Sequence, residues 1–116
     1  MKLVADANVL LAAVIGGRAR LILAHPQILE VLTTARTLAE VAVAALPVTV
    51  VDGAAYAKKL PEAIRRIGRR DPDDAELLAL ALQRRIPLWS NDRDFETVGV
   101  ELFTTEGLLR HLGIVR

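Results

Sequence analysis

The chain has 116 residues, 15 basic and 14 acidic side chains and a formal charge of +1. This length is that of one ordinary domain with its own core, and the charge gives no general sign of nucleic-acid binding. The absence of cysteine excludes disulfides, zinc thiolates and a thiol nucleophile and fits a reducing cytoplasm, and no apolar run reaches the roughly 18 residues that a bilayer span needs.

Short apolar segments alternate with helical segments along the chain, which predicts an α/β domain with a mostly parallel sheet. Only 3% of the residues are aromatic, so the core must be built from aliphatic side chains. In chain order, strands are predicted at 2–5, 28–33, 48–51, 86–89 and 101–104. Helical segments are predicted at 9–15, 18–24, 35–46, 53–67 and 105–112, with a further helix that begins at Pro72.

Two of these helices contain proline, with different consequences. Pro61 lies inside 53–67 and should kink or split that helix. Pro72 instead suits a first helical position, directly after Asp71 as N-cap. Asp73 and the acids beside it then meet the positive end of the helix dipole, and the apolar run 77–82 predicts that the helix is buried.

Acidic residues from separate segments should meet at one edge of the sheet. Asp6 follows the first strand, and Asp92 and Asp94 follow the strand 86–89. Asp74 falls in the first turn of its helix, and Glu40 lies early in the helix after the second strand. Because ligands bind outside the carboxyl ends of parallel strands, we expect these carboxylates at a common rim.

Several carboxylates in one place repel each other and raise one another's pKa unless a cation balances them. Oxygen ligands without cysteine or a nearby histidine favour a hard cation, Mg²⁺ or Mn²⁺, over zinc. Such ions activate water and stabilise charge on a transferring phosphoryl group, so the pattern predicts phosphodiester hydrolysis. The residue-level alternatives are structural: Asp6 or Asp94 could cap a helix, and Glu40 could be a solvated surface acid.

The order of four motifs, DANVL, TLAEV, DPDDAELLALAL and LWSNDRDF, resembles that of the PIN-domain nucleases across essentially the whole chain. The resemblance implies a three-layer α/β/α fold with a mostly parallel central sheet, in a single domain over residues 1–116. It implies catalytic and metal-binding roles for Asp6, Glu40, Asp74 and Asp92, an auxiliary metal-binding role for Asp94, and supporting roles for Ser90 and Asn8.

Many PIN proteins of this length resemble VapC-type toxins, which cut RNA in a metal-dependent way and are silenced by an antitoxin. The resemblance therefore implies a cytoplasmic Mg²⁺- or Mn²⁺-dependent endoribonuclease, with an antitoxin as a partner and no membrane association. An apolar-rich chain of this kind is also expected to form a homodimer. Arg70 and Arg93 are the predicted contacts to the RNA backbone.

Two other functions fit an α/β domain with an acidic rim. A non-catalytic PIN-like module would bind RNA or protein, but the chain keeps an acid at each motif position. A phosphoacceptor domain of the response-regulator type would need paired acids after the first strand and a lysine late in the chain. Here the first strand is followed by Asp6 alone, and no lysine follows Lys59.

Overall fold

The computed structural model describes residues 1–40, 46–68 and 72–115, without the side chains at 38–40. Five strands are β1 (Lys2–Ala5), β2 (Glu30–Thr34), β3 (Thr49–Val51), β4 (Leu88–Trp89) and β5 (Leu102–Phe103). The α-helices are α1 (Ala7–Val14), α2 (Ala19–Leu23), α3 (Ala35–Glu40), α4 (Leu60–Ile67), α5 (Pro72–Arg84) and α6 (Thr105–His111). Among the described helices, none combines the length and the apolar character that a bilayer span requires.

The strands form one sheet in the order β3-β2-β1-β4-β5, and every pair of neighbours is parallel. The predicted α/β fold with a parallel sheet is therefore confirmed. The chain moves outward from β1 to β3 on one side and then returns to place β4 and β5 on the other side. In a sheet of this kind, ligands bind at the carboxyl ends of the strands where the order reverses, here β1 and β4.

Alternate residues of the central strand serve two separate cores. Leu3 and Ala5 of β1 face a core that also contains buried residues of α1, α2 and α6. Val4 faces the opposite core, which is formed mainly with α4 and α5. Because neighbouring side chains of a strand point to opposite faces, this alternation covers both sides of the sheet and gives three layers.

Helix α5 is deeply buried, as its apolar sequence predicted. Its residues from Leu77 to Ala81 are at most 1% exposed. The helix begins at Pro72, as predicted, and Asp73 and Asp74 lie in its first turn. The proposed N-cap, Asp71, lies outside the described residues.

The predicted helix 53–67 is wrong in its first half. Residues 53–55 and 57–59 form two separate 3₁₀ turns, and α4 begins only at Leu60. The segment is thus split near Pro61, as predicted, and Pro61 lies in the first turn of α4, where a missing N–H costs no hydrogen bond. The strands after α5 are also shorter than predicted, since β4 begins at Leu88 and not at residue 86.

Candidate metal site

Asp6 lies at the junction between β1 and α1. It follows the last residue of the strand and is the N-cap of the helix, where its Oδ1 accepts a hydrogen bond from the Val9 N–H at 3.0 Å. The side chain is buried, with the residue 6% exposed. The capping role considered from the sequence is therefore real, and it leaves the second carboxylate oxygen for other contacts.

Ser90 joins the segments that carry two of the predicted acids. Its hydroxyl donates a hydrogen bond to Asp6 Oδ2, and its Oγ accepts one from the Asp92 N–H at 3.0 Å. Ser90 is fully buried at the end of β4, and its own N–H donates to Phe103 O at 3.0 Å. One serine thus ties the Asp6 carboxylate to the loop that carries Asp92.

The loop after β4 is shaped by two side chains. Asp92 caps the short 3₁₀ turn Arg93–Phe95, because its Oδ1 accepts from the Asp94 N–H at 2.9 Å. Asn91 holds the start of α6: its Oδ1 accepts from the Thr105 N–H at 2.9 Å, and its Nδ2 donates to Thr105 Oγ1 at 3.3 Å. The first part of the loop is therefore held by contacts within the protein itself.

A cavity of about 190 Å³ lies at this edge of the sheet. Carboxylates of separate segments line it: Asp6 from the end of β1, Asp73 and Asp74 from the first turn of α5, and Asp92 from the loop after β4. The remaining lining residues are Ala7, Asn8, Thr37 and Leu77. The structure therefore brings Asp6, Asp74 and Asp92 to one cavity, with Asn8 on its wall.

Asp94 approaches the same group from the solvent side. One carboxylate oxygen from each of Asp74, Asp92 and Asp94 lies within 4.8 Å of the other two. Asp74 and Asp92 are half-buried, whereas Asp94 is exposed and does not line the cavity. The auxiliary metal-binding role of Asp94 stays a prediction.

Electrostatics in the cavity disfavour the ionised carboxylate of Asp6. Burial raises its pKa above the ordinary value, and the nearby charge of Asp92 acts in the same direction. Hydrogen bonds from Ser90 and from the backbone of Val9 and Asn8 lower the pKa and oppose part of this effect. A bound cation at this place would stabilise the negative charge that the protein alone stabilises poorly.

The donor set fits a hard divalent cation. All the converging groups are carboxylate oxygens, and the chain contains no cysteine. Mg²⁺ and Mn²⁺ prefer such oxygen ligands and retain several waters, for which a cavity of about 190 Å³ has room. Asp74, Asp92 and Asp94 are the group that could hold such an ion, and Asp6 lines the cavity that Asp74 and Asp92 also line.

The other predicted site residues are less directly placed. The side chain of Glu40 and the whole of Arg70 lie outside the described residues. Arg93 is described; its side chain is 89% exposed and its Nε lies 3.3 Å from Glu96 Oε1. It follows Asp92 directly in the chain but does not line the cavity.

Both histidines have local partners away from the acids. His25 Nδ1 accepts from the Gln27 N–H at 3.1 Å, and the His111 ring lies 5.3 Å from the Phe103 ring. Within the described part of the chain, no histidine lines the cavity. An imidazole base is therefore not part of the site.

Sequence reasoning missed a polar chain beside the cavity, which we call the Arg36 relay: Tyr56, Glu76, Arg36 and Asp73. The Tyr56 hydroxyl donates to Glu76 Oε1 at 2.7 Å, Arg36 Nε donates to Glu76 Oε2, and the same Nε lies 3.2 Å from Asp73 Oδ1. One signal was present in the sequence. Asp73 and Glu76 are three residues apart and so share a helix face, where like charges need a cation.

A family model described as "PIN domain" matches residues 42–113. The chain belongs to the PIN-domain family. The matched range contains Asp74 and Asp92, whereas Asp6 precedes it. The family predicted from the four motifs is therefore confirmed.

Two solved structures share the fold of this PIN domain. One is "Crystal structure of VapBC2 from Rickettsia felis bound to a DNA fragment from their promoter", with a TM-score of 0.60 and 12% identity. The other is "Crystal Structure of FitAcB from Neisseria gonorrhoeae", with a TM-score of 0.58 and 18% identity. Each alignment covers 90% of this chain and 98% of the other chain. No curated protein matches the chain.

Proposed function

We propose that this PIN domain is a Mg²⁺- or Mn²⁺-dependent endoribonuclease. The observation that carries the proposal is the convergence of Asp6, Asp74 and Asp92, from three distant segments, on one cavity at the carboxyl edge of the sheet. We include Glu40 as a further ligand because of its place in the TLAEV motif. Membership of a family whose members are generally nucleases supports the same reaction.

The side chains have separate roles in the proposed reaction. Asp6, Glu40, Asp74 and Asp92 would hold the ion, with Asp94 as an auxiliary ligand. A bound Mg²⁺ or Mn²⁺ supplies activated water and stabilises negative charge on the phosphoryl group. Ser90 keeps the Asp6 carboxylate turned toward the cavity, and Asn8 supports the same wall.

Backbone contacts from arginine complete the substrate site. Arg93, which follows Asp92 in the chain, and Arg70, which precedes α5 in the sequence, would bind RNA phosphates. Trp89 does not provide a stacking surface, because it is fully buried and its Nε1–H donates to Thr105 Oγ1 at 3.0 Å. The interaction with RNA is therefore expected to be mainly electrostatic and sensitive to salt.

The biological setting is part of the proposal. We propose a cytoplasmic toxin of a toxin–antitoxin pair, a single domain over the whole chain that forms a homodimer and is silenced by an antitoxin. The shared fold with the VapBC2 and FitAcB structures supports this setting. Co-expression with the product of a neighbouring gene, followed by co-purification, tests the partner directly.

The experiment that tests the activity compares the unmodified chain with Asp6→Asn and Asp92→Asn on a labelled RNA. We expect Mn²⁺-dependent cleavage by the unmodified chain, none in excess chelator and none by either folded variant. Full activity of either variant, or activity in chelator, would reject the proposal. Calorimetric titration separates the enzyme from a non-catalytic module, since the module predicts no Mn²⁺ binding below millimolar concentrations.

A further inference from the structure

The Arg36 relay connects three separate parts of the fold beside the candidate metal site. Arg36 lies at the start of α3, just after the carboxyl end of β2. Its guanidinium reaches two acids in the first turns of α5, Asp73 and Glu76, and Glu76 also accepts from Tyr56, which lies between the 3₁₀ turns. The relay thus joins α3, α5 and the segment that follows β3.

Three members of the relay are largely shielded from water, whereas the Arg36 side chain is 54% exposed. The residue Tyr56 is 2% exposed, and the Asp73 and Glu76 side chains are 13% and 20% exposed. Charges in such places are costly without a partner, and buried tyrosine hydroxyls need an acceptor. Glu76 supplies that acceptor with one oxygen and contacts the guanidinium with the other, so each group orients the next.

The relay ends one residue before a predicted metal ligand. Asp73 lines the cavity and is followed directly by Asp74, whose carboxylate lies within 4.8 Å of those of Asp92 and Asp94. A small rotation or shift of the first turn of α5 would carry Asp74 away from the other acids. Displacements of about 1 Å at a reacting centre can change rates by 10²-fold.

We propose that Arg36 is a positioning residue: through Asp73 and Glu76 it fixes the first turn of α5 so that the Asp74 carboxylate faces the metal site. Tyr56 extends this role by fixing Glu76. The inference rests on the proposed metal-dependent function and gives roles to Arg36 and Tyr56, which lie outside the four motifs. Arg36 itself touches neither ion nor substrate in this role.

The direction of the change in metal affinity distinguishes positioning from simple charge. If Arg36 contributed only its charge, its removal would strengthen cation binding, because a nearby positive charge repels a divalent ion. If Arg36 positions Asp74, its removal weakens cation binding even though the site becomes more negative. Substitution of residues that orient metal ligands typically lowers affinity or activity by about 10–100-fold.

The test measures Mn²⁺ affinity of the full chain by calorimetry, together with kcat and KM for RNA cleavage. We expect Arg36→Gln to weaken Mn²⁺ binding about 10–100-fold and to lower kcat at subsaturating Mn²⁺. Arg36→Lys keeps the charge but lacks the planar fork, so it should restore only part of the affinity. The KM for RNA should change little, because the relay does not bind substrate.

The matched control is Arg84→Gln, which removes the same charge from the last turn of the same helix. Ten residues of helix separate Arg84 from Asp74, a distance of about 15 Å along the axis. Its Mn²⁺ affinity should equal that of the unmodified chain. Circular dichroism at the assay temperature verifies that each variant is folded.

Equal or tighter Mn²⁺ binding by Arg36→Gln would overturn the inference. If that variant fails to fold, Tyr56→Phe replaces it, because it breaks the contact with Glu76 and keeps every charge; unchanged Mn²⁺ affinity there is equally decisive. An unmodified chain that binds Mn²⁺ without cleaving RNA would refute the proposed function. The Mn²⁺ affinities of the variants would then still decide whether Arg36 positions Asp74. An unmodified chain that binds no Mn²⁺ would overturn both.

Discussion

Substitutions of Asp6 should separate its structural role from its chemical role. Asp6→Asn keeps the N-cap of α1, since asparagine and aspartate cap helices about equally well. It also keeps a polar partner for Ser90, because the new amide can donate to Ser90 Oγ. The variant removes the buried negative charge and reverses the direction of the hydrogen bond with Ser90, so we expect a folded protein that neither binds Mn²⁺ tightly nor cleaves RNA.

Asp6→Ala removes the structural contacts as well. Loss of the cap to the Val9 N–H costs about 1 kcal/mol. The fully buried Ser90 hydroxyl loses its acceptor, which costs about 1–3 kcal/mol. The sum is about 2–4 kcal/mol relative to Asp6→Asn, which also lacks the buried charge, and it corresponds to a Tm lower by roughly 8–16 °C for a domain of this size.

The pH dependence gives the sign of the charge effect. Because burial raises the pKa of Asp6 above its ordinary value, the folded state holds the proton more tightly than the unfolded state. The free energy of unfolding in chelator therefore falls as the pH rises through the unfolded and then the folded pKa. Asp6→Asn lacks this loss, so its stability relative to the unmodified chain should increase above about pH 4.

Thermal unfolding in chelator and in Mn²⁺ measures all of these quantities. Mn²⁺ at 100 times its dissociation constant should stabilise the unmodified chain by about 2.7 kcal/mol, or roughly 11 °C, and should leave Asp6→Asn unchanged. The reasoning is wrong if Asp6→Asn is as unstable as Asp6→Ala in chelator. It is equally wrong if Asp6→Asn retains the Mn²⁺-dependent shift.

Three further predictions concern the loop, the core and the relay. Asn91→Ala removes both contacts with Thr105, so it should lower the free energy of unfolding by about 1–2 kcal/mol and speed amide hydrogen exchange in the loop after β4; unchanged exchange would contradict this. Leu78→Ala should lower the free energy of unfolding in urea by about 2–5 kcal/mol, because the side chain is fully buried. Leu11 is 48% exposed, so Leu11→Ala should change the same free energy by less than about 0.5 kcal/mol, and similar losses in both variants would refute the assigned core. Tyr56 is the single tyrosine, and burial together with its hydrogen bond to Glu76 raises its pKa. The phenolate absorbance should therefore appear above the ordinary pH of about 10, and the free energy of unfolding should fall as the pH rises through that range. A phenol that titrates at the ordinary pH would contradict the relay.

Local patterns in the sequence were sufficient for the central parts of the fold. β1 was predicted with its observed bounds, because an apolar run that ends at Asp6 is typical of a buried parallel strand. The start of α5 was predicted because proline and acidic residues favour the first turn of a helix. The shared edge of Asp6 and Asp92 followed from the direction of parallel strands alone.

Other parts depend on tertiary contacts that no local pattern contains. The residues 53–59 have a helical composition, yet they form two short 3₁₀ turns. Tyr56, between these turns, is buried and donates a hydrogen bond to Glu76, a contact that no local pattern predicts. The partners Arg36 and Glu76 are 40 residues apart, and their contact requires β2 and α5 to be packed first. The double role of Ser90 as donor to Asp6 and acceptor from Asp92 also appears only once β1 and β4 are adjacent.

The pairing of Ala5 with Trp89 determines how much variation in strand length the site can tolerate. Asp6 and Ser90 are each the next residue after this pair, so the two strands deliver their polar groups at the same height. One extra residue inside either strand would advance its end by about 3.3 Å and turn its side chains to the other face. Insertions should thus be accepted in the connections between elements but not within β1 or β4, because the number of residues in these strands determines where the Asp6 carboxylate lies.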